Sequence, residues 1–272
     1  MNPELARYVD WLRGHGVVFE IAGDLVHEAD HDGPLVEGDE EVRPVEIPGI
    51  PPFVEHRDPQ GGRAADHATF SLGRALIPRI APGARFWDIG CGTGVLAVAA
   101  GLKGASAIVA TDVDEKALVL ARRTAADANV AIRFSHGVLL EAVPARLEAD
   151  LVAANLPHKP CPPGGALPLS QRAGPDGTDV HATFAVQAAA RLGAGATVGF
   201  WLHSLPDPRL LHAYTAAFDL ALVAWKRRFL QPGEYHGLLP FFLDRVAKGT
   251  SYIAEASGRR FLVGCVWLAR RR

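Results

Sequence analysis

From His67 onward the chain alternates two kinds of hydrophobic pattern. Short apolar runs read as buried strands: "ARFWDIG", "ASAIVATD", "AIRFSHG", "ADLVAANLP", "ATVGFWLHSL" and "DLALVAWKRRFL". Between them lie longer segments in which apolar residues recur every three or four positions: "HATFSLGRALIPRI", "GVLAVAAGLKG", "DEKALVLARRTAADA", "DVHATFAVQAAARLG" and "DPRLLHAYTAAF". The first spacing is that of covered strands and the second that of helices. Gly104 is placed to close one helix, and Asp179 or Thr178 to cap another. "VLLEAVPARL" predicts a helix broken at its proline, and "RFLVGCVWLARR" a last, well-covered strand. Strands alternating with helices predict an α/β fold, a parallel sheet with helices on both faces.

The N-terminal part follows a different pattern. Leu5, Tyr8, Val9 and Leu12 share one stripe of a helix over residues 3–13, and "GVVFEIAGDLVHEA" predicts two short strands around a Gly-Asp turn. His31 to Gly62 is rich in proline, glycine and acid, including "EGDEE" and "IPGIPPF". It reads as a solvated connection, or as the lid or binding segment that so long a loop often forms. Residues 1–66 are therefore an N-terminal substrate or lid region, and 67–272 the main domain. "QPGEYHGLLPFFLDRVAKGTS" interrupts the alternation as an inserted helix within 229–252. It could cap a site, fill a gap or carry a homodimer contact.

Composition narrows the setting. With 49% hydrophobic and 21% charged residues among 272, the chain has the material for a folded core. A net charge of −2 and no basic patch give no reason to expect nucleic acid as a partner. Three cysteines, Cys91, Cys161 and Cys265, show no zinc-ligand spacing, so no metal is expected and a reducing cytoplasm is the simplest setting. The N-terminus lacks the pattern of a signal peptide, and no apolar run is long enough to span a bilayer.

The chemistry starts at "FWDIGCGTGVLAVAA". A strand ends at Asp88 and Ile89, glycines alternate at Gly90, Gly92 and Gly94 around Cys91, and a helix begins at once. Such a turn lets a ligand approach the backbone and meet the free N–H groups of a helix start. A dinucleotide fingerprint would need glycine at position 95, which is Val95. The pattern D-x-G-x-G-x-G instead resembles the first motif of class I S-adenosylmethionine-dependent methyltransferases. That resemblance implies a Rossmann-like, seven-stranded, mostly parallel sheet with an antiparallel last strand. It also implies S-adenosyl-L-methionine as cofactor and S-adenosyl-L-homocysteine as product.

The next strand ends in Asp112, which is placed to accept hydrogen bonds from ribose hydroxyls; Asp114 competes for that role but sits where a helix cap is expected. In the family a Gly-Asp pair often follows the third strand. Gly137-Val138 stands here, so the resemblance leaves the backbone N–H of Val138 for the adenine, with Val113 packing on the ring. "GGRAADHAT" is similar to the segment before the core of ribosomal-protein lysine methyltransferases, which places Thr69 near the cofactor's methionine end.

The fourth strand of the alternation ends "ADLVAANLPHKP". N⁶-adenine and glutamine-amide methyltransferases carry Asn/Asp-Pro-Pro-aromatic at that place. Asn155-Leu156-Pro157-His158 resembles it in part, and "AGPDGTDV" is similar to a stretch of the HemK-type glutamine methyltransferases. The resemblance spans roughly residues 67–205. It implies Asn155 beside both cofactor and acceptor, with His158 in place of the aromatic ring. An amide oxygen and a backbone carbonyl could then align a planar nitrogen with the methyl carbon. The acceptor implied is a nitrogen on a small molecule, amino acid or peptide. An oxygen acceptor with His158 as base remains open, as does a non-catalytic cofactor-binding protein. Substrate-side candidates are Pro157, His203, Phe53, His56 and Tyr235, with Glu234 and His236 beside it. Cys161 has no paired base and is read as inert.

Overall fold

The computed structural model describes residues 1–32, 40–231 and 234–272; residues 33–39, which carry part of "EGDEE", lie outside the described residues. In chain order the N-terminal region supplies helix α1 (Pro3–Gly14), strand β1 (Glu20–His27) and the strands β2 (Val42–Val45) and β3 (Phe53–His56). Then come α2 (His67–Leu76), β4 (Arg85–Ile89), α3 (Val95–Lys103), β5 (Ala107–Asp112), α4 (Glu115–Asp127), β6 (Arg133–His136) and β7 (Leu151–Ala154). The C-terminal part holds α5 (Asp179–Arg191), β8 (Thr197–His203), α6 (Leu210–Thr215), β9 (Phe218–Phe229), α7 (Leu239–Ala247), β10 (Ala254–Ala256) and β11 (Arg259–Arg271).

The main sheet runs β1-β9-β11-β8-β7-β4-β5-β6, with β10 paired to β11. β11 is antiparallel to β8 and β9, while β4, β5, β6, β7 and β8 pair in parallel. The seven strands from β4 to β9 together with β11 form the expected Rossmann-like core. β1 adds a parallel edge strand beside β9, and β10 a short hairpin strand. β4 has β5 on one side and β7 on the other, so the chain reverses its direction of winding there. Ligands bind at the carboxyl ends of strands at such a point.

Alternation along each strand sends side chains to opposite faces. Trp87, Ile89, Val152, Phe200 and Trp267 pack with α1, α5 and α6. Phe86, Ala110, Leu151, Trp201 and Val266 pack with α2, α3, α4 and the β2–β3 hairpin. The stripe Leu5, Tyr8, Val9 and Leu12 is buried on the first of these faces, as its spacing predicts. α7 joins a third cluster, where Tyr235, Phe242, Leu205 and Leu262 enclose Cys161 and Leu167. The inserted helix thus fills the side of the loop that follows β7, and the thiol of Cys161 is buried in apolar company.

Four local expectations give way to tertiary pairing. Residues 20–27 form one strand rather than a hairpin, with a register shift between Ile21 and Val26; pairing along β9 replaces the local turn at Gly23-Asp24. The stretch read as a connection contains the β2–β3 hairpin, whose Val45 and Phe53 are buried against the helices. The broken helix is a single 3₁₀ turn, Leu139–Ala142. Thr178 occupies the cap position of α5 but makes no side-chain cap bond. Among the described residues no helix is long and apolar enough to cross a membrane, and no group of three or more His, Cys, Asp or Glu could hold a metal.

Gly199 in β8 lets α2 lie close to the sheet: a Cβ there would stand 2.4 Å from a methyl of the fully buried Leu76. Gly199→Ala should therefore destabilise the fold by about 1–3 kcal/mol, the usual cost of overpacking. Urea unfolding of the variant beside the parent measures it.

Candidate functional site

A cavity of about 950 Å³ opens at the carboxyl ends of β4, β5, β7 and β8. The glycine turn after β4 forms its floor. Gly92 has a positive φ of 54°, lines the cavity and has open space where a Cβ would stand. Gly94 serves packing instead. At φ 80° a Cβ there would meet that of Ala121 in α4 at 3.0 Å, and the residue does not line the cavity. Gly94 offers α3 no side-chain cap, and Asp88 supplies the missing acceptor: its Oδ2 takes the Ala97 N–H at 3.0 Å. Burial, with Asp112 nearby, pushes the Asp88 carboxyl up to about 7 against that hydrogen bond. Burial likewise pushes the thiol of Cys91, which lines the cavity, well up.

Asp112 ends β5 with its Oδ2 accepting from Gly92 N–H at 2.8 Å and its Oδ1 from Asp114 N–H at 2.8 Å. The carboxylate thus holds the turn, and each oxygen keeps a lone pair for a ligand hydroxyl. Desolvation raises its pKa. Asp114 is occupied elsewhere: it accepts from Lys116 N–H at the start of α4 and from Arg63 Nε–H at 2.5 Å. Val113 and Val138 line the same end of the cavity, 55% and 51% exposed.

At the other end stands Asn155. Its Nδ2 donates to Thr69 Oγ1 at 2.9 Å and lies 3.4 Å from Asp66 Oδ1. The orientation follows from the partners. A carboxylate oxygen can only accept, and Thr69 already donates its hydroxyl to Asp66 Oδ1 at 3.2 Å. Asn155 therefore keeps Oδ1, a pure acceptor, with no hydrogen bond to any described residue. Asp66 is the N-cap of α2, accepting from the backbone of Ala68 and Thr69. Against its desolvation, His67, the Thr69 N–H and Lys159 hold its carboxyl below the usual range. Thr69 thus sits inside the first turn of α2, not ahead of it.

His158 lines the cavity but is almost fully buried. Its Nδ1 donates to the Leu156 carbonyl at 2.7 Å, and its Nε2 accepts from His203 N–H at 3.4 Å. Burial drives its pKa down to about 4, so the ring is neutral with both nitrogens engaged. Pro157 and His203 also line the cavity.

Three expected substrate contacts lie elsewhere. Phe53 is buried in the hairpin core. His56 pairs with Asp127 at 2.7 Å on the outer side of α4, and its backbone N–H bonds Thr124 Oγ1. The hairpin covers α4, so these residues face helix rather than cavity. Tyr235 stands behind the wall, its hydroxyl on Arg228 and its ring 4.9 Å from Lys159 Nζ. The side chains of Glu234 and His236 lie outside the described residues.

The sequence reading missed Glu55 and Arg63. Glu55 is fully buried and accepts from Thr93 Oγ1 at 2.5 Å, Ala65 N–H at 2.6 Å and Arg43 Nε–H at 2.9 Å. It ties the hairpin, the segment before α2 and the glycine turn together. Arg63 joins that segment to Asp114 and Asp58. Glu55 sits in no motif, and Arg63 lies in "GGRAADHAT", where only Thr69 was singled out. The one legible signal nearby was Asp66, a polar residue directly ahead of a helical pattern.

The family model of the ribosomal protein L11 methyltransferases (PrmA) matches residues 64–160. A "ribosomal protein L11 methyltransferase" of Pelotomaculum thermopropionicum is 43% identical over 93 residues, covering 33% of this chain and 30% of the relative. A "release factor glutamine methyltransferase" of Deinococcus radiodurans is 33% identical over 153 residues, covering 52% of this chain and 51% of the relative. The chain thus spans about half or less of the length of these relatives. Among solved structures, the Thermus thermophilus 16S rRNA N2 G1207 methyltransferase in complex with AdoMet and guanosine is similar with a TM-score of 0.53 at 19% identity. That match covers 86% of this chain and 51% of the other, and shows the likeness of fold.

Two outcomes are expected here. The folded chain holds the Asp88 proton to about pH 7, whereas an unfolded aspartate loses it near pH 3.9. The stability this proton linkage contributes is present below about pH 4 and lost as pH rises through about 7. Asp88→Asn keeps the acceptor for Ala97 and cannot ionise. Its stability relative to the parent should rise across that window, which unfolding curves at a series of pH values would show. Glu55→Ala leaves Arg43, the Thr93 hydroxyl and the Ala65 N–H without their acceptor, and should cost about 3–5 kcal/mol of unfolding free energy in urea titrations.

Proposed function

We propose that this class I S-adenosylmethionine-dependent methyltransferase transfers its methyl group to a planar nitrogen of an amino acid, peptide or other small acceptor. The observation that carries the reading is the fixed amide of Asn155. Thr69 and Asp66 engage its Nδ2, which leaves Oδ1 to accept an N–H. A nitrogen that donates to this oxygen has its orientation set before it reacts. Such alignment supplies much of the rate in a methyl transfer. The matched relatives, named for methylation of ribosomal protein L11 and of a release-factor glutamine, are in keeping with nitrogen on an amino acid or peptide.

The residues present fit the cofactor. In this reading Asp112 takes the ribose hydroxyls, and Val113 and Val138 flank the adenine. The open turn at Gly90, Cys91 and Gly92, together with Thr69, receives the amino-acid end. S-Adenosylmethionine, when bound, supplies a methyl carbon on a cationic sulfur that leaves as the thioether of S-adenosylhomocysteine. Asn155 would then orient the acceptor nitrogen toward that carbon; as the N–C bond forms and the S–C bond breaks, the methylated nitrogen gives up its N–H proton to water. Pro157 stiffens the strand end beside it, and the Leu156 carbonyl is steadied by His158. His158 serves as a positioning residue. With both ring nitrogens engaged and a pKa near 4, it does not suit the role of base for an oxygen acceptor.

Calorimetric titration with S-adenosylhomocysteine should show one site per chain, and a well-folded chain that fails to bind it would overturn the cofactor assignment. Asn155→Ala should lower methyl transfer from labelled cofactor to cell extract by ~100-fold, the scale on which lost alignment acts. Its affinity for S-adenosylhomocysteine should stay within ~3-fold of the parent. Parental turnover in this variant would remove Asn155 from the mechanism.

A further inference from the structure

Two oxygens just past β7 could receive a planar nitrogen: the side-chain oxygen of Asn155 and the backbone carbonyl of Leu156. Only the first is open to the cavity. The Leu156 carbonyl accepts the Nδ1–H of the buried His158 at 2.7 Å, and Leu156 as a whole is 3% exposed, so its carbonyl has almost no surface to give a ligand. Asn155 is part-exposed and lines the cavity. Its Oδ1 has no hydrogen bond to any described residue, and it is not among the buried side-chain atoms that lack a partner. It is therefore an accessible acceptor.

A second accessible acceptor belongs to its neighbour. Asp66 is also part-exposed and lines the cavity. All its side-chain hydrogen bonds fall on Oδ1, which takes the N–H groups of Ala68 and Thr69 and the Thr69 hydroxyl and lies 3.4 Å from Asn155 Nδ2. Its Oδ2 makes no hydrogen bond with a described residue and, like Asn155 Oδ1, is not a buried atom. Against desolvation, His67, the Thr69 N–H and Lys159 hold the carboxyl below the usual range, so it is ionised at neutral pH. The cations nearby are held on other groups: Lys159 Nζ donates to Gln171 Oε1, and Arg228 donates to His67 and to the Tyr235 hydroxyl.

One neutral and one ionised acceptor on neighbouring residues suit a planar group that carries N–H bonds on adjacent nitrogens and a positive charge. A guanidinium has both; a carboxamide has the N–H bonds without the charge, and an ammonium the charge without the plane. Resting on the methyl-transfer reading of the cavity, we propose that the acceptor is a guanidinium group, one nitrogen donating to Asn155 Oδ1 and another to Asp66 Oδ2. Asp66 is then the residue that sets specificity for a cation. As the N–C bond forms on the nitrogen held by Asn155, the S–C bond breaks with its electron pair left on sulfur, and that nitrogen releases an N–H proton to water. The methylated guanidinium keeps a single positive charge for Asp66.

The test uses the full chain labelled with ¹⁵N-asparagine and saturated with S-adenosylhomocysteine. The chain has three asparagines, so Asn155→Ala assigns the Asn155 amide signals, and Asn2 and Asn129 serve as internal controls. Methylguanidinium, kept below denaturing concentrations, should shift the Asn155 signals saturably at concentrations at least ~10-fold below acetamide. Asp66→Asn keeps an oxygen for the cap of α2 and puts an NH₂ group where Oδ2 stood. It should bring methylguanidinium to within ~3-fold of acetamide, with S-adenosylhomocysteine affinity within ~3-fold of the parent. Acetamide binding as well as methylguanidinium in the parent, no saturable shift by methylguanidinium, or a preference that survives Asp66→Asn would overturn the proposal. A variant that loses more than ~3-fold in affinity for S-adenosylhomocysteine but none for methylthioadenosine, which lacks the ammonium, would assign the carboxylate to the cofactor and overturn it too. A parent chain that does not bind S-adenosylhomocysteine would instead remove the methyl-transfer reading, and titration of the cofactor-free chain would still decide the guanidinium site.

Discussion

A buried carboxylate must find all its hydrogen-bond donors inside the protein, and Glu55 does so by joining parts of the chain that are far apart in sequence. Its donors are a hydroxyl in the glycine turn, a backbone N–H just ahead of α2 and the guanidinium of Arg43. The segment it anchors runs directly into Asp66 and Thr69, which orient Asn155. The glycine turn and the amide proposed to hold the acceptor therefore share one fixed support. A shift of the N-terminal hairpin would move both ends of the cavity.

The two ends of that cavity carry different polar groups. Asp88 and Asp112 place carboxylates at the glycine turn, and both are raised in pKa by burial. At the far end His67, His203, Lys159 and Arg228 line the cavity beside the Asp66 carboxylate. Asn155 lies between them as a neutral acceptor. This polarity follows from position along the strand ends. The acids close β4 and β5, while His203 closes β8 and Arg228 reaches in from β9.

The motif residues were legible because each answers a local need. The glycine pattern from Asp88 to Gly94 marks a tight strand-to-helix turn, and Asp112 follows at the end of the next strand. Asn155, Pro157 and His203 were likewise singled out from their places at strand ends, and all three line the cavity. Nothing local says which surface a hairpin will cover: in the structure Phe53 is buried in the hairpin core, and His56 meets Asp127 and Thr124 of α4. His158 was legible as a site residue, but its engaged nitrogens depend on the backbone of Leu156 and His203, brought together by the pairing of β7 with β8.

By itself the sequence determined the alternation of strands and helices, the glycine turn and the identity of the groups at each strand end. These rest on hydrophobic period and on backbone preferences that act over a few residues. Only the tertiary structure decided that β1 would extend the sheet rather than fold on itself and that Glu55 would be buried. It also decided which ring nitrogen of His158 carries the proton. Those outcomes depend on partners supplied from distant parts of the chain, and a hydrogen bond or packed face is settled only when both partners are in place.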